Sequence, residues 1–162
     1  MLEPVNPKVF QNLDGAYKTG FEISGGIDFW ENFNFTTALA YVYAKNKDLN
    51  ESLPLVPPLT TRFKLQFEKE KFWVNANYTI TSKQDDIAIS FGEQSTPGYE
   101  VLDFRLGIVP IKNVTLGVAM LNVFDKTYNN HLNFSFNNQA EFGTVPINDP
   151  GRNVTAFTQF KF

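Results

Sequence analysis

The stretch of sequence that decides the fold is the last eleven residues, Arg152-Asn-Val-Thr-Ala-Phe-Thr-Gln-Phe-Lys-Phe162. Read as a strand, this stretch has a mostly apolar face and a mostly polar one. The first face carries Val154, Ala156, Thr158, Phe160 and Phe162, and the second carries Asn153, Thr155, Phe157, Gln159 and Lys161. A strand of about ten residues with this alternation is the unit of a transmembrane β-barrel. We therefore predict a strand with one face in lipid and the other toward a polar lumen.

Composition and charge exclude several classes of protein. Of the 162 residues, 43% are hydrophobic and 19% charged, which argues against disorder. The net charge of −3 argues against binding of nucleic acid, which usually requires an excess of basic residues. The chain has no cysteine, so disulfides, thiolate metal sites and cysteine nucleophiles are excluded. The longest apolar runs, such as residues 116–121, are far shorter than the roughly 20 residues of a membrane-spanning helix. Spanning strands escape this test because half of their residues are polar.

Six further segments alternate with a period of two residues, so that the sequence predicts seven strands. Phenylalanine and tyrosine, at 17 and 6 copies, fall mostly in these segments and favour strands. The six segments are Ala16 to Trp30, Phe33 to Lys45, Leu59 to Glu68, Phe72 to Thr81, Tyr99 to Val109, and Val114 to about Tyr128.

The connections alternate between short and long. Short turns are predicted at residues 31–32, 69–71 and 110–113, and long loops at about residues 46–58, 84–98 and 126–151. Outer-membrane barrels sort their loops in this way, with tight periplasmic turns and long extracellular loops. The final strand follows a long extracellular loop, so it ends on the periplasmic side with Phe162. Counting the strands back from it places residues 1–15 in an extracellular segment. Aromatic residues at the two ends are expected to form interfacial belts: Trp30, Phe33, Phe72 and Trp73 near the short turns, and Tyr41, Tyr43, Tyr78 and Tyr99 near the long loops.

Seven strands are an odd number, whereas complete bacterial barrels use an even number. Two open edges in hydrocarbon are costly, because each unpaired backbone group costs several kcal/mol. The residues that follow Met1 also lack the basic start and apolar run of a signal peptide. The expectation is therefore a C-terminal piece of a larger barrel.

Four motifs occur in one order, and the terminal strand follows the last of them. They are Ala16-Tyr-Lys-Thr-Gly-Phe-Glu22, Leu55-Val-Pro-Pro-Leu59, Asn122-Val-Phe-Asp-Lys-Thr-Tyr128, and Pro150-Gly-Arg152 before the final strand. Together they resemble the C-terminal part of TonB-dependent outer-membrane receptors, from about Asn12 to Phe162. The resemblance implies the last seven strands of a 22-stranded, plugged barrel in the outer membrane of a Gram-negative bacterium. Receptors of this family import ferric siderophores, haem, cobalamin or glycans.

This resemblance implies a division of the chain and a set of partners. Residues 1–15 would end an extracellular loop, and residues 16–162 would form the C-terminal portion of the receptor barrel. The expected partners are outer-membrane lipid and lipopolysaccharide, the barrel-assembly machinery, the remaining strands and plug of the parent protein, and a small-molecule nutrient. The sequence shows neither a plug nor a TonB box, so contact with TonB would require other parts of the parent.

Site residues follow from the same resemblance. The alternating terminal residues Val154, Ala156, Thr158, Phe160 and Phe162 resemble the signal read by the barrel-assembly machinery. The family motif comprises Asn122, Phe124, Asp125, Tyr128, Gly151 and Arg152, and Asn122 and Asp125 are expected mainly to satisfy backbone groups. Possible ligand contacts from the loops are Tyr128, His131 and Arg152.

The simpler interpretation of each loop residue is structural. His131 is the single histidine, and an imidazole without partner ligands makes a poor metal site, so a solvated loop residue is expected. Asp48, Glu51, Asp85 and Asp86 are likewise expected to be hydrated loop charges. No cofactor, metal site or catalytic residue is predicted, and an enzyme is not expected. Two alternatives stay open: another large porin-like barrel, and a soluble β-barrel or sandwich binding module.

Overall fold

The computed structural model describes residues 12, 14–133, 136–138 and 143–162. The expectation for residues 1–15 therefore falls largely outside the described part of the chain. Within that part the protein is built from β-strands and one short 3₁₀ helix, Ile89–Phe91. No helix among the described residues has the length and apolar character needed to cross a membrane.

Seven long strands form one antiparallel sheet in the order β1-β2-β4-β5-β6-β7-β10. Their bounds are β1 Ala16–Phe29, β2 Phe33–Asn46, β4 Thr60–Lys69, β5 Phe72–Thr81, β6 Tyr99–Ile111, β7 Val114–Leu121 and β10 Asn153–Phe160. Two-residue β3, Glu51–Ser52, pairs with the end of β2. In a separate two-stranded sheet, β8, Phe136–Asn138, pairs antiparallel with β9, Gly143–Val145. The predicted all-β, antiparallel class and the seven main strands are confirmed.

Cross-strand register separates the sheet into an apolar face and a polar face, because directly paired residues point to the same side. One row across all seven strands is apolar throughout, and the next row is polar except for one alanine. The apolar row is Ile27, Phe35, Leu65, Ala76, Phe104, Met120 and Val154, and the neighbouring row is Asp28, Asn34, Gln66, Asn75, Arg105, Ala119 and Thr155.

Large hydrophobic side chains are exposed rather than buried. On the apolar face, Ile27 is 62% exposed, Phe104 42% and Val154 61%. The buried hydrophobic residues of the described part are small: Ala44, Val56, Ala88 and Ala119. No large side chain of that part is fully buried. Soluble monomers rarely expose so continuous an apolar surface, and the pattern fits a sheet that meets lipid.

Tight turns at one end of the sheet bring successive strands together. Trp30 and Glu31 join β1 to β2 with φ of 46° and 50°, and Glu70 and Asn113 adopt φ of 44° and 69° in the next two short turns. Residues with positive φ suit such hairpin turns, because they give the turn the same right-handed twist as the two strands that it joins. The pairing of β6 with β7 shifts register around Pro110, as expected where a residue lacks an N–H to donate.

Aromatic rings on the apolar face cluster at both ends of the sheet. Near the short turns, contacts run through Phe29, Trp30, Phe33, Phe67 and Phe72, with centroid separations of 4.8 to 6.2 Å. At the long-loop end, Tyr17 contacts Tyr43 and Phe21 contacts Tyr41.

Two residues assigned to the aromatic belts from the sequence do not belong there. Trp73 pairs with Gly107 and Tyr99 with Thr81, in rows that belong to the polar face. Position along a strand predicts depth, but strand parity decides which face a ring occupies. The prediction was therefore wrong for Trp73 and Tyr99.

The sixth predicted strand is shorter than expected. The sequence pattern extended it to about Tyr128, whereas β7 ends at Leu121. Asn122 and Asp125 have φ of 49° and 54°, and these left-handed residues turn the chain out of the sheet.

Candidate functional site: the long-loop cluster

Three long loops lie at the end of the sheet opposite the tight turns. We call residues 47–59 the first loop, residues 82–98 the second loop, and the described residues 122–133, 136–138 and 143–152 the third loop. Because β2, β5 and β7 all end on this side, antiparallel pairing brings the three loops to the same edge of the sheet. This edge is where the described polar loop residues converge.

The first and second loops are hydrogen-bonded to each other. The buried side chain of Gln84 donates to the Val56 carbonyl at 2.9 Å. The Glu51 carboxylate accepts from both the backbone N–H, at 3.1 Å, and the hydroxyl of Ser90. These bonds fix the relative position of the two loops.

Two of the carboxylates that were predicted to be hydrated accept hydrogen bonds from backbone N–H groups. Asp48 accepts a hydrogen bond from the Asp14 N–H at 2.9 Å, and Glu51 binds Ser90 as described. Asp85 does stay at the surface, where it is 2.9 Å from the Lys83 ammonium. The sequence identified the charges but not the backbone amides that they accept from, because those amides are distant in sequence.

The predicted solvation of His131 is wrong. This residue is 6% exposed, and its Nδ1 atom lies 3.2 Å from the Thr96 hydroxyl of the second loop. Its Nε2 atom is 3.8 Å from a carboxylate oxygen of Glu93. Burial lowers the pKa of His131, and the Glu93 charge opposes that shift. A buried imidazole cannot touch a ligand unless the loops move.

Asn122 ties the start of the third loop to its end. Its backbone N–H donates to Asp103 at 2.8 Å, and its side chain bonds to both the N–H and the carbonyl of Lys126 at 2.9 Å. The same amide reaches the Pro150 carbonyl at 3.4 Å. Asn122 is 3% exposed, so this buried network organises the corner where β7 ends.

Asp125 completes this corner from the surface. Its carboxylate accepts from the Arg152 N–H at 2.8 Å and lies 3.8 Å from the Arg152 guanidinium. A Cβ atom at Gly151 would come within 2.8 Å of the same carboxylate, so glycine leaves room for it. Phe124 is 71% exposed beside them. Asn122 and Asp125 thus satisfy backbone groups, as expected of them.

Tyr128 belongs to the third loop and contacts Tyr99, a residue of the polar face. Its ring contacts that of Tyr99 with centroids 4.3 Å apart, and its backbone carbonyl accepts from Asp149. Burial, with a smaller contribution from the Asp149 charge, raises the pKa of Tyr128. The three loop residues predicted as ligand contacts therefore do not share partners. Tyr128 contacts Tyr99 and Asp149, His131 contacts Thr96 and Glu93, and Arg152 contacts Asp125.

The described residues of this cluster do not bring a set of metal-binding side chains together. Among the described residues, no three His, Asp or Glu side chains are placed to hold a metal ion. Sequence reasoning missed Glu93 and Thr96, the partners of His131. The available signal was a single histidine in a loop rich in polar residues, and it did not reveal which other loop would pack on it.

The terminal residues follow the alternation of the sheet. Val154, Ala156, Thr158 and Phe160 pair with the apolar-face residues of β7, and Phe162 extends beyond β10 with full exposure. The alternate positions, Thr155 and Phe157 among them, lie on the polar face. The predicted facing of the terminal strand therefore agrees with the register.

A family model for the β-barrel of TonB-dependent receptor-like proteins matches residues 2–123. The chain belongs to this family. The matched residues include six of the seven long strands and end at the corner formed by Asn122. The suspected TonB-dependent receptor barrel is thereby confirmed, as is the barrel-segment fold class.

Solved structures with the same fold are receptors and transporters. This TonB-dependent receptor barrel chain is 25% identical to the copper transporter OprC, with a TM-score of 0.83 over 91% of the chain and 24% of OprC. The ferric-catecholate import receptor Fiu from E. coli K12 is 19% identical, with a TM-score of 0.61 over 90% of the chain and 21% of Fiu.

A third neighbour supports the fold alone. A mutant of the ferric enterobactin receptor PfeA from Pseudomonas aeruginosa is 21% identical, with a TM-score of 0.65 over 86% of the chain and 22% of PfeA. The chain thus spans about a quarter or less of the length of these structures. No curated protein is significantly similar in sequence.

Proposed function

We propose that this chain forms part of the wall of a TonB-dependent receptor in the outer membrane of a Gram-negative bacterium. Residues 16–162 would supply barrel strands, and residues 1–15 would end an extracellular loop. The three long loops would help to capture a small-molecule nutrient at the cell surface. Transport itself would depend on a plug and a TonB-binding segment of the parent protein.

The separation of the two faces carries this proposal. Seven strands present a continuous apolar face with exposed large side chains, while the opposite face is lined by groups such as Arg62, Lys64 and Asn77. A soluble binding module would bury its large apolar side chains inside. A wall between lipid and a polar lumen requires the observed arrangement.

Family membership favours a TonB-dependent receptor over another porin-like barrel, since the matching model is that of the receptor barrel. In the proposed orientation the short turns face the periplasm and the loop cluster faces the exterior. The apolar face would contact lipid and lipopolysaccharide, and the polar face would contact the plug or water. The terminal strand, ending at Phe162, would be recognised by the barrel-assembly machinery.

The nutrient is proposed as a class. OprC is named as a copper transporter, and Fiu and PfeA as receptors for ferric catecholates and ferric enterobactin. We propose a metal-carrying or similarly scarce solute, such as a ferric siderophore, haem, a vitamin or a glycan. Tyr128 and Arg152 are proposed as loop contacts to it, since Tyr128 is half-buried and Arg152 exposed. His131 is buried, so it would affect nutrient binding only by holding the second and third loops together.

A growth and uptake assay tests the proposal. The parent receptor would be expressed in a strain without its own nutrient receptors, with and without a functional TonB gene. Ferric catecholates, copper, haem and cobalamin would be supplied one at a time. The expected result is receptor-dependent uptake of one solute that disappears without TonB. Uptake that persists without TonB, or recovery of the parent in the soluble fraction, would contradict the proposal.

A further inference from the structure

One carboxylate contacts all three long loops. The Glu93 side chain, 8% exposed, accepts a hydrogen bond from the Leu55 N–H of the first loop. It also accepts from the Ala88 N–H of its own loop at 2.8 Å. Its other neighbour is His131 of the third loop, at 3.8 Å. Removing this group would affect the contacts of three segments at once.

His131 is held at one ring nitrogen and not at the other. Its side chain is 2% exposed, and Nδ1 lies 3.2 Å from the Thr96 hydroxyl. Nε2 is buried and has no hydrogen-bond partner among the residues that the structure describes. A buried polar atom without a partner carries a desolvation cost that solvent would relieve. The attachment of the third loop at His131 is therefore weaker than the paired contacts between the first two loops.

We propose that Glu93 and His131 form an acid-sensitive latch that holds the third loop against the first two. The proposal rests on the proposed function in one respect, that the loops face the cell exterior. Glu93 acts as the fixed side of the latch because two backbone N–H groups hold its carboxylate. His131 is the side that changes charge.

The direction of the pH effect follows from burial. Because burial lowers the pKa of His131 in the closed arrangement, an open arrangement with a solvated imidazole binds a proton more readily. The closed arrangement has its full stability above the ordinary histidine pKa of about 6.5 and loses stability as pH falls below that value.

The surroundings of His131 offer little to reverse this effect. Glu93 is the titratable group of the described residues that faces the imidazole, and its charge reduces the shift without cancelling it. The second loop places the uncharged Thr96 hydroxyl against the imidazole, and the first loop donates the uncharged Leu55 N–H to the Glu93 carboxylate. Acidification is therefore expected to release the third loop.

A distance measurement between the second and third loops tests the latch. The chain has no cysteine, so Ile89→Cys and Leu132→Cys can be spin-labelled in the parent receptor after removal of any cysteine elsewhere in it. Both positions are exposed, at 73% and 46%. Pulsed electron spin resonance in lipid should show one narrow distance at pH 7.5. A second, broader distribution should grow between pH 6.5 and 5, a range in which ordinary carboxylates stay ionised.

Two further measurements decide the role of His131. His131→Gln has no titratable ring, so its distance distribution should not change over the same pH range. In the unmodified latch, the NMR titration of isotope-labelled His131 should have the same midpoint as the distance change. An unchanged distribution in the parent at pH 5, a change that persists in His131→Gln, or a separate midpoint would each overturn the proposal.

This experiment is independent of the nutrient. It measures loop distances without ligand, so a failure to find the transported solute leaves its outcome intact. Conversely, a receptor that transports normally but shows one fixed loop distance would remove the latch and leave the proposed function standing.

Discussion

Trp73 and Phe157 stack on the polar face of the sheet, with ring centroids 6.3 Å apart and planes 29° from parallel. Two strands, β6 and β7, separate the strands that carry them. The contact is possible because the row between them holds Gly107 and Gly117. A Cβ atom on either glycine would collide with a ring. The pair therefore forms an apolar contact on the polar face of the sheet.

Gly117→Val is expected to destabilise the folded barrel by about 1–3 kcal/mol, the usual cost of overpacking, since the Phe157 ring occupies the space that valine needs. Urea unfolding of the parent in lipid vesicles measures this cost. Gly25→Ala is the matched control, since nothing lies within 4 Å of its Cβ position. Equal effects of the two substitutions would show that ring contact is not the cause.

Leu106→Arg tests which face meets lipid. Leu106 lies on the apolar face and is 44% exposed, so a charge there should cost roughly 2–4 kcal/mol near the bilayer midplane. Asn77→Arg, on the polar face, should cost much less. Folding in vesicles at increasing urea concentration gives both values. Similar tolerance at the two positions would contradict the assignment of the faces.

Asn122→Ala should lower stability by about 1–3 kcal/mol, since it removes the part-buried hydrogen bonds between the Asn122 side chain and the N–H and carbonyl of Lys126. Asn122→Gly should cost less than the alanine variant, because glycine tolerates the φ of 49°. Unfolding in urea measures the costs, and protease cleavage in the third loop reports its release. Asn153→Ala, at an exposed position, is the control and should be near neutral.

Removal of Phe162 should reduce the amount of folded parent in the outer membrane several-fold, if the terminal strand is the signal for assembly. Phe162 is fully exposed, so its loss should not alter the stability of protein that has already folded. Pulse-labelling followed by heat-shifted gel migration separates folded from unfolded protein. Lys161→Ala is the control and should assemble normally; an identical defect in both would point to a general effect of the chain end.

The strands could be read from the sequence because their information is local. Alternation of apolar and polar residues gave β5 with its observed bounds, Phe72–Thr81, and the other long strands with small errors except β7. For β7, the alternation of apolar and polar residues continues past the end of the strand into the third loop. The end of the strand is visible only in the structure, where Asn122 adopts a left-handed conformation.

The loop cluster could not be read in the same way. Glu93 contacts Leu55 and His131, which are far from it in sequence, and no periodic pattern encodes such pairs. A lone histidine in a polar loop is usually solvated, so the expectation for His131 followed the general rule and failed on one tertiary contact. The pairings of β3 and of β8 with β9 were missed for a different reason, since strands of two or three residues are too short to show an alternating pattern.

The absence of a large buried side chain among the described residues has a consequence for sequence drift. When a packed interior residue is shortened, the cavity that it leaves lowers the stability of the fold beyond the lost transfer free energy of the removed atoms. Acyl chains are fluid, so they can fill the space left when Leu65 or Phe104 is trimmed, and only the smaller transfer cost should remain. Homologues are therefore expected to exchange apolar residue types freely at these positions, while Gly107, Gly117 and Asn122 tolerate few replacements.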